Sequence, residues 1–212
     1  MPSPRKPQKS ATRSRMTAAE RREQLITVAR GLFAERGFDG TAVEEVANRA
    51  EVSKPVVYEH FGGKEGLYAV VVDREVTQLL TMMREALTAG TSRELLEQAA
   101  VALLDYVELR PDGFRILVRD SPIGSTASFQ TIIGDVASRV EGILVDTFKR
   151  LELDARTAPM YAQMLVGMVG STGQWWLDTR TPAKHVVAAH LVNLAWNGLS
   201  GLEARPTLVT RA

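Results

Sequence analysis

The amino-acid sequence predicts an all-α protein, built as an N-terminal three-helix unit followed by a larger helical domain. Three observations carry that expectation. Apolar residues recur at i, i+3, i+4 and i+7 in one segment after another. No segment alternates convincingly with a period of two, and no internal repeat of solenoid length is found. Threonine–glutamate pairs at helix-start spacing, and glycine or proline at helix ends, punctuate the chain.

Residues 1–16 read as a flexible basic tail. Arg5, Lys6, Lys9, Arg13 and Arg15 alternate there with prolines and serines and no acid, a composition that builds no core. Thr17 and Glu20 then form a capping box for a first helix with Leu25, Val28, Ala29, Leu32 and Phe33 on one face, ended by Gly37. Thr41 and Glu44 read as a second capping box, opening a short helix with Val43, Val46, Ala47 and Ala50 inward. In the turn Glu51-Val52-Ser53, Val52 is an apolar plug and Ser53 an N-cap. Pro55 falls in the first turn of a helix from about Lys54 to Phe61, where its missing N–H costs nothing.

Gly62-Gly63 breaks that helix, and a longer one from Lys64 carries Leu67, Val72, Val76, Leu79, Leu80, Met83 and Leu87 on a broad apolar face until Gly90. Ser92 and Glu94 open another, to about Leu109. Arg110-Pro111-Asp112-Gly113 reads as a turn before a short segment, Phe114 to Arg119, and residues 120–124 as a second break. A helix of about 126–151 follows. Two helices, about 157–178 and 182–201, the second begun by Thr181-Pro182, are apolar enough to need cover on more than one side. The expected organisation is therefore a tail (1–16), a helix-turn-helix domain (17–63), a helical effector-binding and dimerisation domain (64–204) and a C-terminal tail (205–212).

With 212 residues, 45% hydrophobic and 24% charged, the chain can bury a large core. The absence of cysteine excludes disulfides, thiolate metal sites and a cysteine nucleophile. The basic start lacks the apolar stretch of a secretory signal, and no uncharged apolar run is long enough for a bilayer, so a cytoplasmic protein without membrane partners is expected. The net charge of +1 hides an asymmetry: the tail is basic and the body mildly acidic.

Residues 41–67 read as two short helices joined by a tight turn and locked to a third. In such a helix-turn-helix the second helix enters the major groove of double-stranded DNA, its N-terminal residues nearest the base edges. That nominates Lys54, Pro55 and Val56 for bases, and Thr41, Ser53, Tyr58, His60 and Lys64 for phosphates. The basic tail reads either as a solubilising extension or as an arm that meets DNA phosphates.

Residues 33–67, FAERGFDGTAVEEVANRAEVSKPVVYEHFGGKEGL, resemble the N-terminal domain of TetR-family transcriptional regulators. The likeness lies in the Phe-x-x-x-Gly-Phe segment, the Thr-x-x-x-x-Val-Ala helix and the Tyr-x-x-Phe-x-x-Lys-Glu-x-Leu ending, and extends over roughly residues 18–70. Two places depart from the pattern: Pro55 stands where glycine or alanine is usual, and Gly62-Gly63 where serine or asparagine usually precedes the lysine. The resemblance implies about nine helices, a homodimer joined through the last two (about 157–178 and 182–201), a palindromic operator, a small-molecule pocket in the larger domain and, in most members, repression relieved by ligand. Gly167, Gly170, Gly173 and Ser171 in the penultimate helix would let a partner backbone approach closely, with Trp175, Trp176 and Trp196 as candidate anchors.

The effector is read from the residues directly. Met83, Leu104, Phe114, Leu117, Phe129, Ile133, Val136, Met164 and Met168 would give an adaptable apolar lining for a hydrophobic molecule such as a fatty acyl chain or acyl thioester. Arg115, Arg119 and Lys149 are candidates for an anionic head group. No enzyme, metal or cofactor is expected: His60, His185 and His190 form no ligand set, and neither a phosphate loop nor a Gly-x-Ser-x-Gly elbow occurs. The competing reading is a helical lipid-binding or membrane-surface protein, which would bind liposomes and prefer no DNA sequence.

Overall fold

The computed structural model describes residues 16–118 and 129–207, and of residues 129–136 and 139 the backbone alone. These residues form nine α-helices and no strand: α1 (Ala18–Arg36), α2 (Val43–Arg49), α3 (Lys54–Phe61), α4 (Lys64–Ala86), α5 (Ser92–Leu109), α6 (Pro111–Val118), α7 (Phe129–Arg150), α8 (Ala158–Thr179) and α9 (Lys184–Ser200). The 1–15 part of the basic tail, the break at 120–124 and residues 208–212 lie outside the described residues.

Local signals explain most boundaries. The first capping box forms as read: the Glu20 amide donates to the Thr17 hydroxyl at 3.2 Å and the Thr17 amide to the Glu20 carboxylate at 2.7 Å. Gly37 ends α1 at φ 75°, its amide donating to the Phe33 carbonyl. Gly62, at φ 74°, turns the chain between α3 and α4, a conformation costly for any residue with a Cβ.

Elsewhere the boundaries differ from the expectation, for physical reasons. Thr41 caps nothing: the N-cap of α2 is Ala42, without a side-chain bond, because the Thr41 hydroxyl turns inward to the carbonyls of Gly37 (2.8 Å) and Leu32 (3.3 Å). The capping box of α5 uses Thr91 with Glu94, not Ser92, since only Thr91 stands three residues before the glutamate. Pro111, Asp112 and Gly113 are not a turn but the first turn of α6, where proline needs no donor. The helix α4 stops at Ala86, short of Gly90, and α9 begins at Lys184, beyond the cis Thr181–Pro182 bond.

One contiguous core runs from Leu25 in α1 through Val57, Leu67, Leu104, Phe114 and Trp176 to Val192 in α9. A second, smaller cluster joins Ala137, Leu144 and Phe148 of α7 to Ala158 and Ala162 of α8, with Phe148 and Tyr161 edge to face at 5.4 Å. The three-helix unit is thus bound to the larger domain by shared packing, α1 lying against both α4 and α6. Two polar side chains are buried among the described residues, Thr41 and Glu75.

Candidate nucleic-acid interface

The element that matters is α3, and its position follows from its own alternation of apolar and polar residues. Val57 is fully buried and fixes the helix, with Val56 and Phe61 packed partly beneath it. From α1, the Arg22 guanidinium lies 5.0 Å from the Phe61 ring, and the Gln24 amide donates to the Ala50 carbonyl at 3.2 Å, tying the end of α2 to the same scaffold. Val52, the residue before the N-cap, packs against the core as the expected plug. Its opposite face is free: Ser53, Lys54, Pro55, Tyr58 and Glu59 are exposed, His60 half-exposed.

This face carries less positive charge than its basic residues suggest. Lys54 is ion-paired to Glu44 of α2 and lies over the Tyr58 ring at 5.6 Å, so the bond it donates to Glu44 holds its ammonium above the ordinary lysine range. The pair is exposed at both ends, where such pairs contribute little to stability and exchange readily for another partner. Lys64 is engaged inward: its ammonium donates to the Phe38 carbonyl at 3.0 Å and sits 4.2 Å from the centre of the Phe38 ring. That ring meets Tyr68 edge to face at 5.0 Å, and Tyr68 meets Phe33 at 4.9 Å, so Lys64 closes an aromatic cluster holding α4 to α1.

Between these groups lies an open polar depression of about 450 Å³, bounded by Gly40 and Glu44 at the start of α2, Tyr58 in α3, and Gly63 and Lys64 at the start of α4. The backbone amides at both helix starts lack intrahelical partners and suit an anion. Of the residues nominated from sequence, Ser53, Lys54, Pro55 and Tyr58 share the exposed face. Val56 is half-buried, and Thr41, at 1% exposure, is withdrawn from it. Replacing Thr41 by valine should therefore destabilise the fold by about 1 kcal/mol, chiefly through the Gly37 carbonyl left without its hydroxyl donor, and leave the salt dependence of DNA binding unchanged. Chemical denaturation and a salt titration check the two parts.

Among the nominated effector residues whose side chains are described, no common cavity gathers them. Leu104, Phe114 and Leu117 are buried in the main core, Met83 is half-buried and Met168 packs against the core. Met164 is 55% exposed on the outer face of α8. The side chains of Phe129, Ile133 and Val136, like Arg119, lie outside the described residues. Arg115 pairs with Asp112 at 3.6 Å, and Lys149 is exposed near the far end of α7. A groove of about 540 Å³ between α4 and α5 is instead lined by Met82, Ala86, Val101 and Ala102 together with Glu85, Glu97, Gln98 and Asp105.

Along α8, Met160, Met164, Gly167, Ser171 and Trp175 fall on one exposed stripe, and α9 exposes Leu194 and Gly198. A Cβ on Gly167, Gly170 or Gly198 would meet nothing. Gly173 differs: its Cβ would stand 3.1 Å from the Phe114 ring, so it serves internal packing. Trp176 also belongs to the core, its indole donating to the Pro182 carbonyl at 2.9 Å, which leaves Trp175 as the exposed tryptophan of α8.

Comparison with known proteins bears on both halves. Residues 25–71 match the model "Bacterial regulatory proteins, tetR family", and residues 92–198 match "Tetracyclin repressor-like, C-terminal domain". The HTH-type transcriptional activator FasR of Mycolicibacterium smegmatis is 32% identical over 199 residues, covering 88% of this chain and 86% of FasR. The HTH-type transcriptional repressor BepR of Brucella suis biovar 1 is 29% identical over 176 residues, covering 78% and 84%. A TetR-like transcriptional regulator from Rhodococcus sp. RHA1 superposes with a TM-score of 0.70 at 26% identity, over 89% of this chain and all of that one.

Proposed function

The chain belongs to the TetR family of bacterial transcriptional regulators, and from that premise we propose that it is a homodimer that reads a palindromic operator through paired α3 helices and releases or tightens its hold when a hydrophobic effector binds. The observation that carries the reading is the pairing of two exposed faces on one rigid core: the polar start of α3, and the apolar stripe of α8 with Leu194 of α9. The first offers chemistry for one half-site and the second a reason for two. Selection of binding sites from random DNA tests it. A palindrome is expected; binding to anionic liposomes with no preferred sequence would reverse the reading.

In this proposal Lys54, Pro55 and Val56 face base edges, Lys54 leaving Glu44 for a guanine acceptor, while Ser53, Tyr58 and His60 meet phosphates together with the amides around Gly63, and Lys64 joins them by leaving the Phe38 carbonyl. Lys54→Ala should weaken selected DNA more than random DNA, whereas Lys64→Ala should weaken both about equally and lower the salt slope by about one. Glu44→Gln should strengthen binding by freeing Lys54. Fluorescence anisotropy over a salt series measures all three; equal losses for Lys54→Ala on every sequence would remove Lys54 from base reading.

Repression is our reading of its sign of control, since a dimer seated on a promoter palindrome blocks polymerase without further contacts. The name of FasR marks the other outcome: reporter expression that falls when the gene is deleted would make this chain an activator. A fatty acyl chain or acyl thioester is the proposed effector class, supported by the apolar residues Met82, Ala86, Val101 and Ala102 that line the groove between α4 and α5. Mass spectrometry of an organic extract of the purified protein checks it, and a small, highly charged copurifying molecule would contradict it.

A further inference from the structure

Glu75, in the middle of α4, is the buried carboxylate among the described residues, its side chain 3% exposed. Four elements meet on it. Arg110, at the joint between α5 and α6, holds it with a fork, Nη2 donating to Oε1 at 2.7 Å and Nε to Oε2 at 2.9 Å. Tyr106 of α5 donates its hydroxyl to Oε2 at 2.9 Å. Arg30 of α1 stands further off, Nη1 to Oε1 at 3.6 Å, beyond hydrogen-bonding range, and its Nε–H is buried without an acceptor.

The geometry is asymmetric, with one carboxylate between two guanidiniums, one bonded and one waiting. α6 is fastened to the bonded side. The Phe114 amide donates to the Arg110 carbonyl at 3.0 Å, and Gly113 approaches so closely that a Cβ there would lie 2.1 Å from Oε2. A shift of α6 therefore carries Arg110 with it. A buried carboxylate stripped of its partner is costly enough that it must take another donor at once, and the cation within reach is Arg30, on the helix that scaffolds α3.

We propose that Glu75 is the transfer point of the effector signal: Arg110 holds its carboxylate in the state described here, and displacement of α6 hands it to Arg30, re-seating α1 and with it the recognition helix. The exchange has two discrete states because the carboxylate has two forks to choose from, the kind of bistable contact that turns a small shift into a switch. It rests on the reading that an effector changes DNA affinity.

The test uses the full chain and the DNA selected from random sequence, with palmitoyl-coenzyme A as the acyl probe. Arg110→Gln should push Glu75 to Arg30, and Arg30→Gln should lock it on Arg110. The two are expected to move the Kd for selected DNA in opposite directions, at least about fivefold apart, with Gly113→Ala following Arg110→Gln. The probe should shift the wild type and be blunted in Arg30→Gln. If a glutamine variant fails to fold by thermal melting, Arg110→Lys and Arg30→Lys keep the charge, lose the fork and should show the same opposed signs.

Shifts of the same sign, or none, overturn the switch and leave the DNA reading standing; a chain that selects no DNA overturns both. A probe that leaves the wild type unmoved contradicts the acyl class alone, and the opposed signs still decide the switch.

Discussion

Replacing Met164 and Trp175 together by glutamate should turn the protein into a monomer and lower its affinity for a two-half-site palindrome by about 10²–10⁴-fold, the usual loss when two linked binding events become one. The residues lie eleven positions apart on the exposed stripe of α8, at 55% and 50% exposure, with Gly167 open between them. An interface on this face buries both in a symmetric contact, where each substitution is counted twice and places charge against charge in apolar surroundings. Affinity for an isolated half-site should change little, because neither residue belongs to the core that positions α3. Sedimentation velocity gives the oligomeric state and anisotropy the two affinities. A double variant that stays dimeric would move the interface elsewhere.

Glu75→Ala should destabilise the fold by about 3–5 kcal/mol, since it leaves the half-buried Arg110 guanidinium without its carboxylate and the buried Tyr106 hydroxyl with a backbone carbonyl at 3.4 Å in place of a carboxylate at 2.9 Å. Glu75→Gln keeps the shape and loses the charge, for about 1.5–3 kcal/mol. Burial raises the Glu75 carboxyl pKa, but the bonds from Arg110 and Tyr106 and the charges of Arg110 and Arg30 outweigh it, so the folded value lies below the ordinary 4.5. For a depressed carboxyl the sign is fixed: its contribution is present above the unfolded value and lost as pH falls through the folded one. The advantage of wild type over Glu75→Gln should therefore be complete at neutral pH and shrink in acid below 4.5. Urea unfolding at fixed protein concentration measures it; a gap that widens in acid would contradict the depressed pKa. The phenol of Tyr106 shifts the other way, raised by burial and by the Glu75 charge, and stays a donor throughout.

What the sequence disclosed divides along one physical line. Helix positions were legible because 3.6-residue periodicity and local caps are short-range, and α1, α3 and α5 begin within a residue of where their sequences point. Local patterns failed where a distant group won. The Thr41–Glu44 pair has the spacing of a capping box, yet the Thr41 hydroxyl finds carbonyls of α1 and Glu44 finds Lys54. Pro111-Asp112-Gly113 has turn composition, yet the burial of Phe114, Ile116 and Leu117 draws it into α6.

At the site, exposure of Ser53, Lys54, Pro55 and Tyr58 followed from helical phase around Val57, while the inward turn of Lys64 depends on Phe38, 26 residues away. Glu75 was invisible because it sits in the charged run Asp73-Arg74-Glu75, which reads as a solvated face, and its partners Tyr106 and Arg110 are 31 and 35 residues distant. The effector residues were least legible: an apolar stripe looks the same whether it fills a core or lines a cavity, and Leu104, Phe114 and Leu117 fill a core.

In the proposed function two copies of α3 read one DNA site together. Selection of sites from random DNA by the full chain, followed by footprinting on the winning sequence, tests it most directly. An inverted repeat protected as one unit is expected, with half-site centres on one face of the duplex about 34–36 Å apart and affinity falling steeply with salt. A single non-repeated site bound by one chain, or no enriched sequence at all, would contradict it.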